Sequence, residues 1–405
     1  MVQKFLLLRL GFYFILFNVK NLFLILILRS GVMRRILFFS IIVLMFLTGG
    51  YSFAGALSGV GTATDPYLIQ SLSDFEEFRV NNVYKSAGKY TTLTTDLDLS
   101  GNSYVGSLVT GYYYGTFDGN SKTISNVKSN GGNSNTAFFY AFHGILKNLN
   151  LTRIDFTGYY TAGICVSIYD ITDSVENCYV QGSLAGSGSC AGITTSNSGT
   201  ISNCFSDCII AGGTHSGGLV AGNDGGIIEN CHSSGTVLAS GIGYYGGLVG
   251  SNLNGGMIRK CYSDAIVQGA LPNSYHSALV GMQTGIVRDC FWNADINPGL
   301  FGCRPEAPSS DTIATGLSAD NMLVSSFFTN AGWDFTGESI NGTEDIWMMP
   351  NPGNGPALRS MRDGTYCLHP PVGDLSGDCF VDLVDFAIMA SSWLECGYSD
   401  QDLCP

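Results

Sequence analysis

The segment HSGGLVAGNDGGIIENCH at residues 215–232 returns as YYGGLVGSNLNGGMIRKCY at residues 244–262, and this recurrence decides the fold. Two short marks are repeated. The first mark has four positions: an apolar residue, then a variable residue, then usually Asn, and finally Cys or an aliphatic residue. The second mark reads AGI, GGLV or SALV. The first mark ends at Val127, Leu149, Cys178, Cys204, Cys231, Cys261 and Cys290, in steps of 22, 29, 26, 27, 30 and 29 residues. The second mark falls at Gly163, Gly192, Gly218, Gly247 and Ala278. Such a period is typical of backbone coils stacked on one another.

Each repeat carries short apolar strands and lacks the 3.6-residue periodicity of a helix. Aliphatic residues recur in three columns. One column lies three positions before the last residue of the first mark, and another lies six positions after that residue. The remaining column directly follows the Gly or Ala of the second mark. These columns begin at Ile124, Leu184 and Ile164. We therefore predict an all-β protein, a right-handed parallel β-helix whose coils rise by about 4.8 Å each.

The residue before the end of the first mark is usually asparagine. The row consists of Asn126, Asn148, Asn177, Asn203 and Asn230, and is interrupted by Lys260 and Asp289. Because Asn tolerates left-handed backbone, we expect this row to turn the chain and to bond the amide of the neighbouring coil. A ligand site built from the same row is the alternative.

Composition excludes nucleic acid as a partner. The chain has 405 residues, 53 of them Gly, and a net charge of −13. Residues 1–54 hold six basic residues and no acidic one, so the remainder has 13 basic and 32 acidic residues, a net charge of −19. A body that acidic repels phosphates.

The N-terminal segment, residues 1–54, predicts export. Met33, Arg34 and Arg35 precede an apolar run over 36–47 and small residues around 52–56, which is the pattern of a signal peptide. The earlier apolar run, over 5–28, has two interpretations: untranslated sequence upstream of a true start at Met33, or a membrane anchor. We expect a secreted or cell-surface protein.

All 13 cysteines lie beyond residue 160, and nine of them form two populations, with Cys165, Cys190, Cys208 and Cys303 remaining. The five that end the first mark hold a position that earlier copies fill with Val127 and Leu149, and we interpret them as small buried groups of the core. Four others fall in the last 39 residues, which indicates a disulfide-stapled module of open connectivity. They are Cys367, Cys379, Cys396 and Cys404.

That module carries a motif with the spacing of a calcium loop. Oxygen-bearing groups occupy positions 1, 3, 5, 7, 9 and 12, the seventh being a main-chain carbonyl. The predicted ligands are Asp374, Ser376, Asp378, Phe380, Asp382 and Asp385. An apolar helical face follows from Phe386 to Trp393. A chance acidic turn is the alternative, and Cys379 stands where such loops have glycine.

Two parts of the chain each resemble a known protein family. GDLSGDCFVDLVDFAIMASSWLEC at 373–396 resembles one half of a type I dockerin repeat, which implies an EF-hand-like calcium module over 367–405. A complete dockerin binds cohesin through two loops; the tail after Tyr398 is too short for a second, which argues against cohesin as a partner.

The body of the chain resembles the GLUG-motif proteins of bacterial surfaces. The matching stretches are GGLVAG at 217–222, GGLVG at 246–250, 59–78, DLDLSG at 96–101, 115–127 and 331–347. The resemblance implies a β-helix over 55–305 and a closing coil or cap over 306–366. GLUG repeats accompany peptidases, adhesins and proteins of no known chemistry, so the resemblance specifies the fold more than the activity.

No catalytic residue is assigned from the sequence. Asp207 and Asp264 share one position of the repeat, but two coils separate them by about 10 Å, at or beyond the limit for a glycosidase pair. Two aromatic rows remain as candidates for stacking on a ligand, although packing within the protein is the favoured interpretation of both. One row follows the first mark: Tyr179, Phe205, His232, Tyr262 and Phe291. The other precedes the second mark: Tyr160, His215, Tyr244 and Tyr275, with Ser189 between the first two.

Two functions follow from these patterns. The first is a non-catalytic scaffold that binds or adheres to polysaccharide or to a surface protein. The alternative is an extracellular polysaccharide-degrading enzyme, a glycoside hydrolase or lyase, that carries a dockerin-like module.

Overall fold

The computed structural model describes residues 56–269, 274–304, 312–349 and 355–359. All of them belong to one compact unit that begins at Ala56. Over these residues the chain winds into three parallel sheets that share one core, which confirms the predicted all-β parallel β-helix. None of the helices in these ranges is long and apolar enough to span a membrane.

The three sheets form three faces, here named A, B and C. The 17 described strands of face A are Tyr67–Ile69, Tyr90–Leu93, Leu97–Asp98, Thr116–Ser125, Lys128–Asn130, Ile145–Gly158, Ser174–Glu176, Tyr179–Gly186, Thr200–Ser202, Phe205–Gly212, Ile227–Glu229, His232–Ala239, Met257–Arg259, Tyr262–Ser263, Ile266–Gln268, Ile286–Asn293 and Thr312–Leu317. Face B contains Val109–Tyr113, Phe139–Phe142, Cys165–Ile168, Thr194–Asn197, Val220–Asp224, Val249–Leu253 and Val280–Gln283. Face C contains Thr161–Ala162, Cys190–Ala191, His215–Gly217, Tyr244–Gly246 and Tyr275–Ser277.

Helices are short and lie at the ends of the described coil. Helix α1 spans Leu72–Val80 and is followed by a 3-10 turn at Asn82–Lys85, while α2 and α3 span Ala319–Met322 and Ser325–Thr329. A two-stranded antiparallel pair, Trp347–Met348 with Ala357–Leu358, follows them. Helix α1 begins at Ser71, whose hydroxyl accepts a hydrogen bond from the Asp74 amide, an ordinary N-cap. Its buried Phe75 and Phe78 pack on rings of the first coils.

The predicted left-handed turn is present. Asn148, Asn177, Asn203 and Asn230 have φ between 51° and 56°. Lys260 and Asp289, which interrupt the asparagine row, keep φ of 52° and 55°. The backbone conformation is therefore repeated even where the residue type is not, because the turn bends every coil of face A between its two strands. The side chains of the row form only part of the predicted ladder of hydrogen bonds. Asn177 Nδ2, for example, donates to Asn148 Oδ1 at 3.3 Å.

The first step of the repeat differs from the predicted register. Ile124 pairs with Leu151, and Lys128 pairs with Asp155. Val127 is therefore aligned with Ile154, a step of 27 residues, and the predicted step of 22 to Leu149 is wrong. The physical reason is that each of these two coils has a second left-handed turn on face A, at Asn126 in one coil and at the aligned Arg153 in the next. The residues around Asn126 resemble the first mark but form this second turn. Asn126 accordingly belongs with Arg153 and lies outside the row of Asn148.

Glycines of the second mark allow neighbouring coils to approach closely at the corner between faces C and B. A Cβ atom on Gly218 would lie 2.0 Å from the Gly247 carbonyl oxygen, and one on Gly163 would lie 2.3 Å from that of Gly192. Side chains are therefore excluded at these positions. The next residues, such as Leu219 and Leu248, are fully buried, so the corner directs an aliphatic column into the core.

A ladder of side-chain amides crosses the interior at the end of face B. Asn197 Nδ2 donates to Asn223 Oδ1, and Asn223 Nδ2 donates to Asn252 Oδ1, both at 2.8 Å. Asn252 Nδ2 in turn donates to Gln283 Oε1 at 3.1 Å. These buried amides also bond main-chain carbonyls of the turn, so polar groups are satisfied where the chain leaves face B.

The cysteines that end the first mark lie in the core, as predicted. Cys178, Cys204, Cys231 and Cys261 are fully buried, and Cys290 is 1% exposed. All nine cysteines of the described residues are free thiols. Burial raises the pKa of the Cys165 and Cys208 thiols to about 12, so these groups are neutral at physiological pH. The four cysteines after residue 366 lie outside the described residues.

The C-terminal part of the described chain covers the row that follows the first mark. We call Tyr179, Phe205, His232, Tyr262 and Phe291 the outer aromatic column. The first four rings stack in sequence, and all members except His232 belong to a hydrophobic cluster separate from the interior core. Phe328, Trp333 and Trp347 pack against it, and Trp333 lies 4.5 Å from Trp347 between ring centroids. The hydroxyl of Tyr262 donates to the Pro356 carbonyl at 2.6 Å. Residues 318–349 and 355–359 therefore cover this side of the β-helix.

His232 is the one imidazole ring of this column, and its burial keeps it neutral. It is 2% exposed, and neither ring nitrogen has a hydrogen-bond partner among the described residues. Its ring stacks between Phe205 at 3.8 Å and Tyr262 at 4.7 Å. Burial lowers the pKa of His232 to about 3, so protonation opposes the packing of the C-terminal segment.

We expect the substitution Lys260→Asn to raise the free energy of unfolding by up to about 1 kcal/mol, since Asn adopts left-handed backbone at lower cost than Lys. Thermal melting followed by circular dichroism measures the change. Lys260→Ala is the matched control, because it removes the same charge without easing the backbone. Equal melting temperatures for the two variants would contradict the explanation.

We expect His232→Phe to reduce the sensitivity of the protein to acid. A histidine whose folded pKa is depressed contributes stability that is complete above its unfolded pKa of 6.5 and is lost as the pH falls toward about 3. Between pH 7 and pH 5 the wild type should lose about 2 kcal/mol more than the variant. Tryptophan fluorescence follows this transition because Trp333 and Trp347 contact the column. Parallel pH profiles for the two proteins would refute the assignment to His232.

Candidate functional site

The predicted row before the second mark lies on face C, and three of its members form a continuous strip of rings. His215 pairs with Tyr244, and Tyr244 pairs with Tyr275, in parallel register. The ring centroids of the first pair are 4.9 Å apart and those of the second 5.4 Å. Tyr275 is 42% exposed, while His215 and Tyr244 are half-buried. We call these three residues the face C strip.

Tyr160 is on the same row but apart from the strip. The register of Cys190 with Thr161 and with Ser216 places Ser189 on the coil between Tyr160 and His215. Tyr160 instead contacts Tyr159, with centroids 4.5 Å apart, and is 37% exposed. The predicted row is therefore divided. Tyr160 pairs with Tyr159, and the face C strip begins two coils away, about 10 Å along the axis of the β-helix.

The face C strip combines three partly exposed aromatic rings, two of which carry hydroxyl groups. Burial lowers the pKa of His215, so this ring is neutral at pH 7 and adds no charge. The strip spans three coils, about 10 Å along the axis. Such a surface can stack on the apolar face of a ligand while its hydroxyls form hydrogen bonds at the edge.

The other predicted row is used for packing. Its rings are between 1% and 6% exposed because the C-terminal segment covers them. Both rows have the same period and are mainly aromatic, and neither property separates them. The distinction comes from residues 318–349 and 355–359, which pack on face A from a distant part of the chain.

The two aspartates considered for catalysis are bonded to neighbours on their own row. Asp207 pairs in register with Ser234, whose hydroxyl donates to Asp207 Oδ1 at 2.9 Å. Asp264 Oδ1 accepts from Asn293 Nδ2 at 2.8 Å. Each carboxylate thus links one coil to the next, and the arrangement is that of a polar ladder beside the outer aromatic column.

A second group of exposed rings lies on face B and is absent from the sequence-based candidates. It consists of Tyr112, Tyr114, Tyr140, His143 and Tyr169, here called the face B cluster. Its tyrosines are 38% to 48% exposed. Tyr112, Tyr114, Tyr140 and His143 precede the part of the chain where the second mark is recognisable, and Tyr169 lies on the first coil that carries it, at Gly163. The signal that finds them is alternation with the buried Tyr113 and Phe142.

The predicted calcium loop falls on a part of the chain that the structure does not describe. Within the described ranges, no three His, Cys, Asp or Glu side chains converge as ligands. The predicted calcium ligands, Asp374, Ser376, Asp378, Phe380, Asp382 and Asp385, lie outside the described residues, as does the whole dockerin-like module over 367–405. The calcium loop therefore stays a prediction.

Comparison with known proteins agrees with this architecture. A 166-residue alignment with halomucin of Haloquadratum walsbyi is 26% identical and covers 38% of this chain but 2% of halomucin. A crystal structure from Bacteroides ovatus, described as a "putative immunoglobulin A1 protease", superposes with a TM-score of 0.58 at 23% identity, over 75% of this chain and 94% of that one. Residues 212–238 match the family of the GLUG motif. The chain is thus a parallel β-helix that carries a GLUG motif, as its resemblance predicted.

Proposed function

We propose that this protein is an extracellular, non-catalytic scaffold that binds polysaccharide through the face C strip. The observation that carries the proposal is the alignment of His215, Tyr244 and Tyr275 in register on consecutive coils, with Tyr275 exposed and the other two rings half-buried. A β-helix fixes the spacing of these rings rigidly, so a ligand can engage them without ordering a loop.

The chemistry of the strip suits sugars. A pyranose ring has an apolar face that packs on aromatic rings and hydroxyls that bond polar edges, and the strip supplies both kinds of contact. A folded protein partner would need an interface of about 1,000 Å² or more, with an apolar centre. The strip is narrow and its tyrosines end in hydroxyls, so polysaccharide is the better match; a surface protein is the second candidate ligand.

Location outside the cytoplasm is part of the same proposal. Its support is the basic start, apolar run and small-residue site over 33–56, which has the pattern of a secretory signal. The similarity to halomucin covers too little of that protein to assign a location or a role. The predicted calcium module would then follow the scaffold as a terminal unit.

The binding proposal predicts that Tyr244→Ala with Tyr275→Ala weakens retention on polysaccharide about tenfold, as expected when aromatic anchors are removed. Affinity gel electrophoresis of the full chain through gels that contain neutral or acidic polysaccharides gives the dissociation constants. Phe327→Ala is the matched control, since Phe327 is 39% exposed but lies on α3, away from face C. Melting curves verify that each variant is folded.

Two results would oppose this proposal. Unchanged retention of the double variant would exclude the strip as the binding surface. Release of reducing ends or unsaturated products by the wild-type protein would show catalysis and would favour the polysaccharide-degrading alternative.

The calcium loop predicts a separate outcome. Isothermal titration of the chelator-treated full chain with Ca²⁺ should show one site, and Asp374→Ala with Asp385→Ala should abolish it, because positions 1 and 12 supply carboxylate ligands. Asp320→Ala, in the short helix α2, is the control for loss of an acidic residue. Equal heats for the double variant and the wild type would rule out a bound ion at this loop.

A further inference from the structure

The face B cluster is built by three consecutive coils. Tyr113 pairs with Phe142, which pairs with Ile168, and all three side chains point into the core. The next residue in each coil, Tyr114, His143 and Tyr169, therefore points outward, since side chains alternate along a strand. These three outward residues form a row across three coils, about 10 Å long.

The rings of this row contact one another directly. Tyr114 lies 5.1 Å from His143, and His143 lies 5.0 Å from Tyr169, with interplanar angles of 8° and 16°. Tyr112 lies beside the row, with its centroid 5.9 Å to 6.0 Å from all three rings, and Tyr140 adjoins Tyr112 at 6.3 Å. The five rings thus form one continuous platform.

His143 is fixed at the centre of the platform by a buried carboxylate. Its Nδ1 lies 3.2 Å from Oδ2 of Asp173, which is 4% exposed. The Asp173 carboxylate also accepts from the amides of Gly144 at 2.7 Å and Asp170 at 3.0 Å. Because the aspartate is held by these amides, it fixes the orientation of the imidazole and directs Nε2 away from Asp173.

Exposure separates this cluster from the aromatic groups that the fold uses for packing. Tyr112 and Tyr114 are each 47% exposed and Tyr169 is 48% exposed. The outer aromatic column, by contrast, is covered by Phe328, Trp333 and Trp347 of the same chain. The ring row also ends openly at Tyr169, because the register of Ile168 with Asn197 places Ser198 at the corresponding position of the next coil.

The charges around the platform select the kind of ligand. Asp173 contacts His143, and Asp170 lies near enough for His143 to lower the pKa of its carboxyl, after the larger effect of its hydrogen bonds to Thr172. These carboxylates disfavour an anionic ligand. Tyrosine hydroxyls surround the ring surface, which suits a ligand with both an apolar face and many hydroxyl groups.

We infer that the face B cluster is a second binding site, for an uncharged polysaccharide, on a different face from the proposed strip. The inference shares with the proposed function only the class of ligand, since none of its residues belongs to face C. Tyr114 and Tyr169 stack on sugar rings at the two ends of the row, and the hydroxyls of Tyr112 and Tyr140 bond sugar hydroxyls. Two sites on two rigid faces allow one molecule to link two polysaccharide strands.

The decisive experiment combines both sites in one assay. The full chain, Tyr244→Ala/Tyr275→Ala, Tyr114→Ala/Tyr169→Ala and the fourfold variant are run in gels that contain mixed-linkage glucan, mannan or xylan, and in pectate or alginate gels. We expect the face C variant to keep residual retention in at least one neutral gel, and the fourfold variant to lose it at least about tenfold. Phe327→Ala should behave as the wild type.

A measurement without substitution guards against misfolded variants. Tetranitromethane nitrates exposed tyrosines, and peptide mass spectrometry locates the modified residues. The neutral polysaccharide that retains the wild type should protect Tyr112, Tyr114, Tyr140 and Tyr169 from nitration several-fold, whereas pectate should not.

The possible results separate the two proposals. Equal retention of the face C variant and the fourfold variant, or nitration that is unchanged by neutral polysaccharide, overturns the face B site and leaves the strip. Loss of retention in the face B variant alone supports this site and overturns the strip. Retention of the wild type by acidic polysaccharides only, or by no polysaccharide, also overturns the inference.

Discussion

The parallel register between successive coils is the constraint on which the rest of the structure depends. It is set at the corners, where a left-handed residue bends face A and a glycine lets the chain approach its neighbour. At Gly218, for example, an added Cβ atom would lie 2.0 Å from the carbonyl oxygen of Gly247 on the next coil. Once the corners are aligned, each residue type is repeated one strand spacing above its equivalent, and every column becomes a ladder. Core, amide ladder and ring rows all follow from that alignment.

Ladders of one residue type have different consequences on different sides of the coil. Inside, stacked thiols such as Cys204 and Cys231 fill space, and the amides of Asn223 and Asn252 bond each other and the turns. Outside, stacked rings must be covered or remain available to a ligand. The C-terminal segment covers the column that contains His232 and leaves the rings of Tyr275 and Tyr169 exposed. The proposed sites are therefore the ring ladders that the described residues leave partly exposed.

Much of the fold was predictable because a repeat multiplies weak local signals. The column of Ile164 and the turn at Asn177 each carry little information alone, yet their recurrence indicated parallel strands, the core cysteines and the left-handed backbone. The first coil was predicted in the wrong register because Asn126 belongs to a second turn, and one copy of a mark does not reveal which turn it forms. Tyr114 was missed because its coil lacks the second mark, and Tyr169 was missed because Ser198 stands at its position on the next coil, so no aromatic row is visible there.

The sequence by itself determined the period, the class of fold, the buried columns and the turn conformation, because these depend on residues at fixed spacing within neighbouring coils. Only the tertiary structure decided which aromatic row is buried and which is exposed. That decision depends on Trp333 and Trp347, which are far along the chain from Phe205 and follow no period. Exposure of a ring is set by whatever segment packs over it, and a periodic pattern carries no information about a segment outside the period.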